Sequence, residues 1–119
     1  METIYSAYPH EELLTVATCG RVDFIERQNL VRVEAFSNYS KLFMSDGKTL
    51  FVAKVLKKLE DKLDSSHFIR SHKTHLVNLL FVRTYIRGTH AELLLTNGDR
   101  IPVARNKKKQ MDLMLFKNN

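Results

Sequence analysis

Cationic side chains fill the middle of a segment whose two ends are apolar, and such a segment could bind an anion. The segment is residues 68–78, with the sequence FIRSHKTHLVN, and its centre carries Arg70, His72 and Lys73. A buried strand would not carry that centre without partners, because burying unpaired charges is costly. A plain surface loop would not need the apolar ends. The pattern therefore predicts a basic element that the core holds at both ends and whose middle faces a negatively charged partner.

Two other segments supply groups that suit the same chemistry. Arg and Lys donate to guanine in the major groove and Asn pairs with adenine, while other cationic and small polar groups hold phosphates. The three segments lie far apart in the chain, so a nucleic-acid site requires that the fold brings them to one surface. The candidate residues outside the central segment are Asn38, Ser40, Lys41, Arg105, Asn106 and Lys107.

Several of these cationic candidates also have a purely structural interpretation. Arg70 could pair with a carboxylate such as Glu34 and so staple a sheet. His72 could cap a turn or pack as a neutral imidazole, and Lys107 could belong to a solvated helix face. Asn78 is expected to hydrogen-bond backbone groups at a turn, as Asn does readily. The sequence leaves both interpretations open for the cations.

Length and composition indicate one soluble globular domain. The chain has 119 residues, 44% of them hydrophobic, and a formal charge of +6, which fits attraction to phosphate, an acidic protein or an anionic membrane surface. The single Cys19 excludes an intramolecular disulfide and permits a reducing, cytoplasmic location. The sequence contains no zinc spacing, nucleophile motif, glycine-rich phosphate loop or membrane-spanning run. We therefore expect no enzyme activity, no metal and no cofactor.

The spacing of apolar residues predicts a mainly β fold made of small antiparallel hairpins. In one alternating strand, Val31 and Val33 are predicted to share a buried face. The dipeptides at positions 46–47 (Asp-Gly) and 97–98 (Asn-Gly) mark hairpin turns. Pro102 lacks a backbone donor, so its strand should lie at a sheet edge.

Two helices interrupt this pattern. The central one is amphipathic, its lysines are expected to be solvated, and a C-terminal helix is predicted over residues 105–116. Residues 1–18 are interpreted as a linker or an N-terminal edge segment, and residues 19–119 as the domain. The apolar positions with helical spacing in the central helix are Val52, Val55, Leu56, Leu59 and Leu63.

The three segments together resemble LytTR domains, the DNA-binding modules of LytR/AlgR/AgrA-type bacterial response regulators. The family's central pattern is an aromatic or apolar pair, Arg, any residue, His, Lys or Asn, Ser or Thr, an apolar pair and Asn. Residues 68–78 match this pattern at every position, and residues 33–39 and 97–105 agree in the right order. The resemblance covers roughly residues 22–116.

This resemblance implies a β-dominated fold that reaches DNA with loops rather than with a recognition helix. It implies base reading near Ser40, at Lys73 and at Arg105. Some members have His where this chain has the shorter Ser40, so the neighbouring Lys41 is expected to contact phosphate instead. The other phosphate anchors are expected to be Arg70, His72 and Lys107.

The resemblance also implies partners. These are double-stranded DNA with paired direct repeats in promoters, a second copy of the chain on that DNA, and an N-terminal phospho-receiver domain in a longer protein; the alternative is a stand-alone regulator. A second hypothesis is a basic β module for RNA or an acidic protein. We do not expect the pair of aromatic residues on adjacent strands that stacks RNA bases, which lowers the RNA option.

Overall fold

The computed structural model describes residues 13–116, which form ten β-strands, two α-helices and three short 3-10 helices. The helices are α1 (Leu56–Lys62) and α2 (Lys108–Phe116), and the 3-10 helices are Arg27–Asn29, Leu79–Phe81 and Arg105–Lys107. The strands are β1 (Leu13–Thr18), β2 (Arg21–Glu26), β3 (Leu30–Phe36), β4 (Tyr39–Met44), β5 (Thr49–Val52), β6 (Phe68–His72), β7 (His75–Asn78), β8 (Val82–Ile86), β9 (Glu92–Leu95) and β10 (Arg100–Pro102).

The strands build three antiparallel sheets. One is the β1–β2 hairpin, one is a five-stranded sheet in the order β5-β4-β3-β7-β6, and one is a three-stranded sheet in the order β10-β9-β8. Pro102 lies in β10, at an edge, where its missing backbone donor leaves no gap in the ladder. The predicted fold of small antiparallel sheets with a central and a C-terminal helix is confirmed.

The five-stranded sheet buries one face under the β1–β2 hairpin and α1. Leu14 and Val16 of β1 lie in this core with Leu42 and Leu76 of the sheet. The predicted boundary between linker and domain, at residue 19, falls inside the β1–β2 hairpin, because residues 13–18 pair with β2 along their whole length. The rest of the predicted linker, residues 1–12, lies outside the described residues.

Part of the opposite face packs against the three-stranded sheet and α2. Ile69 and Val77 meet Leu93 and Met111 there. Val31 joins this second core, whereas Val33 lies in the first, so the prediction that they share a face is wrong. The physical reason is a register shift in β3 between residues 30 and 32, since one inserted residue turns the following side chains to the other face.

The central helix is shorter than its apolar spacing predicted. Val52 is the last residue of β5 and pairs with Ser40, and Val55 precedes the helix and is 39% exposed. Leu56, Leu59 and Leu63 are buried as predicted. Within residues 13–116, no helix is both long and apolar enough to cross a membrane.

Both predicted hairpin turns are present. In the β4–β5 turn the amide of Gly47 donates to the carbonyl of Met44 over 3.0 Å. Gly47 has a φ of +89°, whereas Asp46 keeps a negative φ. Asp46 instead accepts a hydrogen bond from the backbone of Lys48 with its carboxylate. This geometry is a three-residue turn that ends in a left-handed residue, a position that glycine occupies without strain.

Candidate nucleic-acid interface

The register of the five-stranded sheet brings two of the predicted segments to one end. The β3–β4 turn at residues 37–38 follows the Phe36–Tyr39 pair. The β6–β7 turn at residues 73–74 lies beside it, since the amide of Ala35 donates to the carbonyl of Thr74 over 2.9 Å. Adjacent antiparallel strands thus place two turns from remote parts of the chain next to each other.

The segment after β10 reaches the same end through a backbone contact. The amide of Ala104 donates to the carbonyl of Ser71 over 2.8 Å. This hydrogen bond anchors the 3-10 helix of residues 105–107 against β6. The side chains that follow Pro102 are therefore held beside the tip of the β6–β7 hairpin.

Between α1, the β6–β7 hairpin and the segment after β10 lies a concavity of about 470 Å³, here called the basic concavity. Four cations and one carboxylate line it, so its charge is positive. Lys57 was expected to be solvated on the back of α1, and neither spacing nor charge pattern showed that it faces this site. The lining residues are Lys57, Glu60, Arg70, His72, Lys73, Ala104, Asn106 and Lys107.

Arg70 lines the basic concavity, but its guanidinium is already occupied. It pairs with Glu60 over 2.7 Å, and it donates to the carbonyl oxygens of His72 and Lys73. Its side chain is 19% exposed. The predicted phosphate contact from Arg70 is therefore corrected: these donors hold the β6–β7 turn. The alternative of a carboxylate partner was right in kind, although the partner is Glu60, because Glu34 pairs with Arg32.

We expect the substitution Arg70→Met to destabilise the fold by about 1–2 kcal/mol, since three charge-assisted hydrogen bonds are lost and two carbonyl groups lose a donor. Urea unfolding followed by circular dichroism measures this. The control Lys73→Met, at an exposed position in the same turn, should change the free energy of unfolding by no more than about 0.5 kcal/mol. If the two variants had equal free energies of unfolding, the internal hydrogen bonds of Arg70 would not stabilise the fold, and Arg70 would again be a candidate for phosphate contact.

His72 caps the same turn. Its Nδ1 accepts a hydrogen bond from the amide of Thr74 over 3.2 Å and lies 2.9 Å from the hydroxyl of that residue. An accepting Nδ1 places the proton of the neutral ring on Nε2. The ring packs edge to face against His75, with 5.8 Å between the centroids. Burial lowers the pKa of His75, although the carboxylate of Glu34 partly opposes this, so His75 is a neutral structural residue.

Ser40 does not reach the surface. Its side chain is fully buried, and its hydroxyl donates to the carbonyl of Lys54 over 2.7 Å. The prediction of base reading at Ser40 is therefore corrected, because the hydroxyl faces the first core. The hydroxyl instead ties β4 to the segment that leads into α1.

The remaining candidates are accessible. Asn38 is exposed in the β3–β4 turn, and Lys73 and Arg105 are exposed at the hairpin tip and in the 3-10 helix. Lys41 lies on the sheet face, with its ammonium 5.0 Å from the ring centroid of Phe43. Among residues 13–116, no hydrogen bond or ion pair of less than 4 Å occupies the side chains of Lys73 and Arg105. These two cations are thus available to an external anion.

The side of the sheet that carries Lys41 holds a feature that the sequence did not predict. Phe36, Tyr39 and Phe51 lie on the adjacent strands β3, β4 and β5, and all three are exposed. The expectation that adjacent strands lack paired aromatic residues is therefore wrong. The missing information was the pairing register of β3, β4 and β5, which places the three rings together.

Comparison with known proteins agrees with this architecture. The family model described as LytTr DNA-binding domain matches residues 20–116. A CO-responsive transcriptional regulator, RcoM of Rhodospirillum rubrum, is 29% identical over 86 residues, which are 70% of this chain and 36% of that protein. The chain thus spans about a third of the length of that relative. A LytTr DNA-binding domain from Bacillus cereus superposes with a TM-score of 0.74 at 21% identity, covering 87% of this chain and 96% of that one, which shows the shared fold.

Proposed function

This chain belongs to the family of LytTR DNA-binding domains, which act in transcription regulation, and from that premise we propose that it reads specific sequences in double-stranded DNA. The basic concavity and the turns around it would form the contact surface. The family is one of DNA-binding domains rather than of enzymes. Net charge of +6 would steer the chain toward the polyanion.

One observation carries this proposal. Lys73 and Lys107 are remote in sequence, yet they line the same concavity together with Lys57. Lys57 is paired with Asp61 over 2.9 Å, but the ammonium groups of Lys73 and Lys107 repel each other, so the arrangement is stabilised when an anion lies between them. Phosphates of a duplex backbone supply such charges at regular spacing. Arg105 is exposed in the neighbouring 3-10 helix.

The side chains divide into two roles in this proposal. Lys41, Lys57 and Lys107 would hold phosphates, which fixes the register of the protein on the duplex. Lys73 and Arg105 would donate to the base edges of guanine in the major groove, and the amides of Asn38 and Asn106 would suit adenine or phosphate. Arg70 and His72 would act through the turn that they hold.

We further propose the setting of the domain. It would be the output module of a longer cytoplasmic regulator, with a receiver domain on its N-terminal side, or it would act as a stand-alone regulator. The full protein would bind paired direct repeats in promoters as a homodimer. The part of the transcriptional regulator RcoM that matches this chain is about a third of its length. This supports the proposal that the domain is one module of a longer regulator.

Selection of bound duplexes from a random pool tests the proposal directly. A single enriched motif that binds at least about a thousandfold tighter than a random duplex is expected of a specific reader. The absence of any enriched motif, at a salt concentration where random duplex no longer binds, would refute sequence-specific recognition.

We expect Lys107→Ala to weaken binding to all duplexes alike and to lower the salt slope, −dlogK/dlog[salt], by about one, because one phosphate contact is lost. Fluorescence anisotropy over a salt series measures this. The matched control is Lys48→Ala, since Lys48 is an exposed lysine in the β4–β5 turn at the opposite end of the sheet. An unchanged slope in Lys107→Ala would place Lys107 outside the interface.

A further inference from the structure

Three exposed aromatic rings form one continuous patch on the open part of the five-stranded sheet, here called the aromatic face. It consists of Phe36, Tyr39 and Phe51, which are 43%, 53% and 58% exposed. The pairs Phe36–Tyr39 and Lys41–Phe51 place them on neighbouring strands. The rings of Phe36 and Phe51 meet edge to face with 5.8 Å between their centroids.

The fold itself does not require these rings. Their strands are anchored from the other side, where Val33, Leu42 and Val52 are buried in the first core. The second core covers the other half of the outer face, around β6 and β7. Three large rings left in water on one patch are uncommon in a monomeric domain and indicate a binding surface.

Lys41 is the cation that lies against the aromatic face. The ammonium of Lys41 lies 5.4 Å from the ring centroid of Phe51. On the same side of the sheet, Arg32 pairs with both Glu34 and Asp99, over 2.9 Å in each case. Arg32 is also stacked on Phe43, with 3.6 Å from its guanidinium carbon to the ring centroid. The surface therefore combines flat π faces with the cation Lys41, whereas Arg32 is held in internal ion pairs.

We propose that the aromatic face binds unpaired bases of single-stranded nucleic acid. Aromatic residues on adjacent strands stack bases without regard to sequence, and nearby cations hold the backbone phosphates. Phe51 and Tyr39 would stack on successive bases, Phe36 would meet one of them at its edge, and Lys41 would contact phosphate. An apolar protein partner would have to bury the Lys41 ammonium without an anionic group, so the charge favours a polyanion.

This binding is separate from the duplex binding proposed above. The rings lie on the sheet surface, whereas the basic concavity lies beyond its end and contains none of them. Backbone continuity links the two, because Ala35, next to Phe36, is hydrogen-bonded to the β6–β7 turn. Lys41 belongs to both surfaces, so the test uses variants of the rings, which should affect the single-stranded ligand and spare the duplex.

The probe is a fluorescein-labelled oligothymidylate of about 12 nucleotides, within the usual site size for such surfaces. Its comparison is an abasic oligomer of the same length, which keeps the phosphates and lacks the bases. We expect the thymidylate to bind at least about tenfold more tightly, since stacking on each base contributes to affinity. Equal affinity for both oligomers would overturn the proposal, because it would show attraction by charge alone.

The variants are Phe51→Ala and Tyr39→Ala, with Leu113→Ala as the matched control. Leu113 is 65% exposed on α2, away from the aromatic face. Each aromatic variant should weaken thymidylate binding by roughly 5–100-fold and leave affinity for the abasic oligomer and for the selected duplex unchanged. The control should bind all three probes like the parent chain, and circular dichroism checks that each variant is folded.

Tyrosine emission gives a second readout, because the chain contains no tryptophan. Stacking should quench the emission of the parent chain on addition of unlabelled oligothymidylate, and the quench should be lost in Tyr39→Phe. Unchanged thymidylate affinity in Phe51→Ala would overturn the proposal. A dimer in sedimentation that Phe51→Ala dissociates, without loss of thymidylate binding, would instead assign the face to self-association.

Discussion

Replacing Arg105 with alanine is expected to lower the preference of the protein for its selected duplex over a random duplex, at a cost of about 1–3 kcal/mol on the selected site. Arg105 is exposed at the start of a 3-10 helix whose preceding residue, Ala104, is fixed to β6. The backbone next to Arg105 is thus fixed, and its guanidinium can form two parallel hydrogen bonds to guanine O6 and N7. Anisotropy titrations of both duplexes at one salt concentration measure the ratio.

The conservative variant Arg105→Lys separates base reading from charge. It retains the cation but loses the planar pair of donors, so the salt slope should stay unchanged while the preference for the selected site falls. An equal loss of affinity on selected and random duplexes, in Arg105→Ala, would make Arg105 a phosphate contact. A preference that is undiminished in both variants would remove Arg105 from base recognition.

Replacing Asn78 with alanine is expected to destabilise the fold by about 2–4 kcal/mol, because two buried backbone groups lose their partners. Its Nδ2 donates to the carbonyl of Leu30 over 2.9 Å, and its Oδ1 accepts from the amide of Leu80 over 2.9 Å. Asn78 is only 3% exposed, and its bond to Leu30 is fully buried, so water replaces that bond poorly. Asn78 thereby joins the end of β7 to the start of β3.

Urea unfolding gives the free energies for this test. The matched control is Asn38→Ala, since Asn38 is exposed in a turn and its loss should change stability by no more than about 0.5 kcal/mol. The denaturant dependence, m, should be the same in both variants if unfolding remains two-state. If Asn78→Ala had the same free energy of unfolding as Asn38→Ala, the two hydrogen bonds of Asn78 would contribute nothing to the stability of the folded state.

The local elements were accessible from the sequence because each depends on near neighbours. The apolar ends and basic centre of residues 68–78 predicted an element held by the core, and the structure shows the β6–β7 hairpin with Phe68 and Val77 buried. The glycine turns at positions 47 and 98 were predicted for the same reason, since positive φ is a property of single residues. The family resemblance added the fold that connects these pieces.

Errors arose where the outcome depends on a partner from a remote part of the chain. Arg70 and Lys73 look equivalent in sequence, but only Arg70 lies within reach of Glu60 on α1. Ser40 was a candidate for DNA contact, yet its position in β4 turns it toward the first core. Val31 was assigned to the wrong face because a bulge in β3 interrupts the alternation of side chains between the two faces of the sheet. No residue type in β3 indicates this bulge.

The sequence by itself determined the hairpins and the presence of two helices, the positive charge and the segments able to contact an anion, since composition and periodicity are local quantities. Only the tertiary structure decided which of those cations are free and which are internal, because that depends on distances between strands and helices remote in sequence. It likewise decided that Lys57 joins Lys73 and Lys107 around one hollow, and that three aromatic rings from three strands share one face. The pairing register of the strands and the packing of the helices set these positions. A shift of the register by one residue would have turned the side chains of a strand to the opposite face of the sheet.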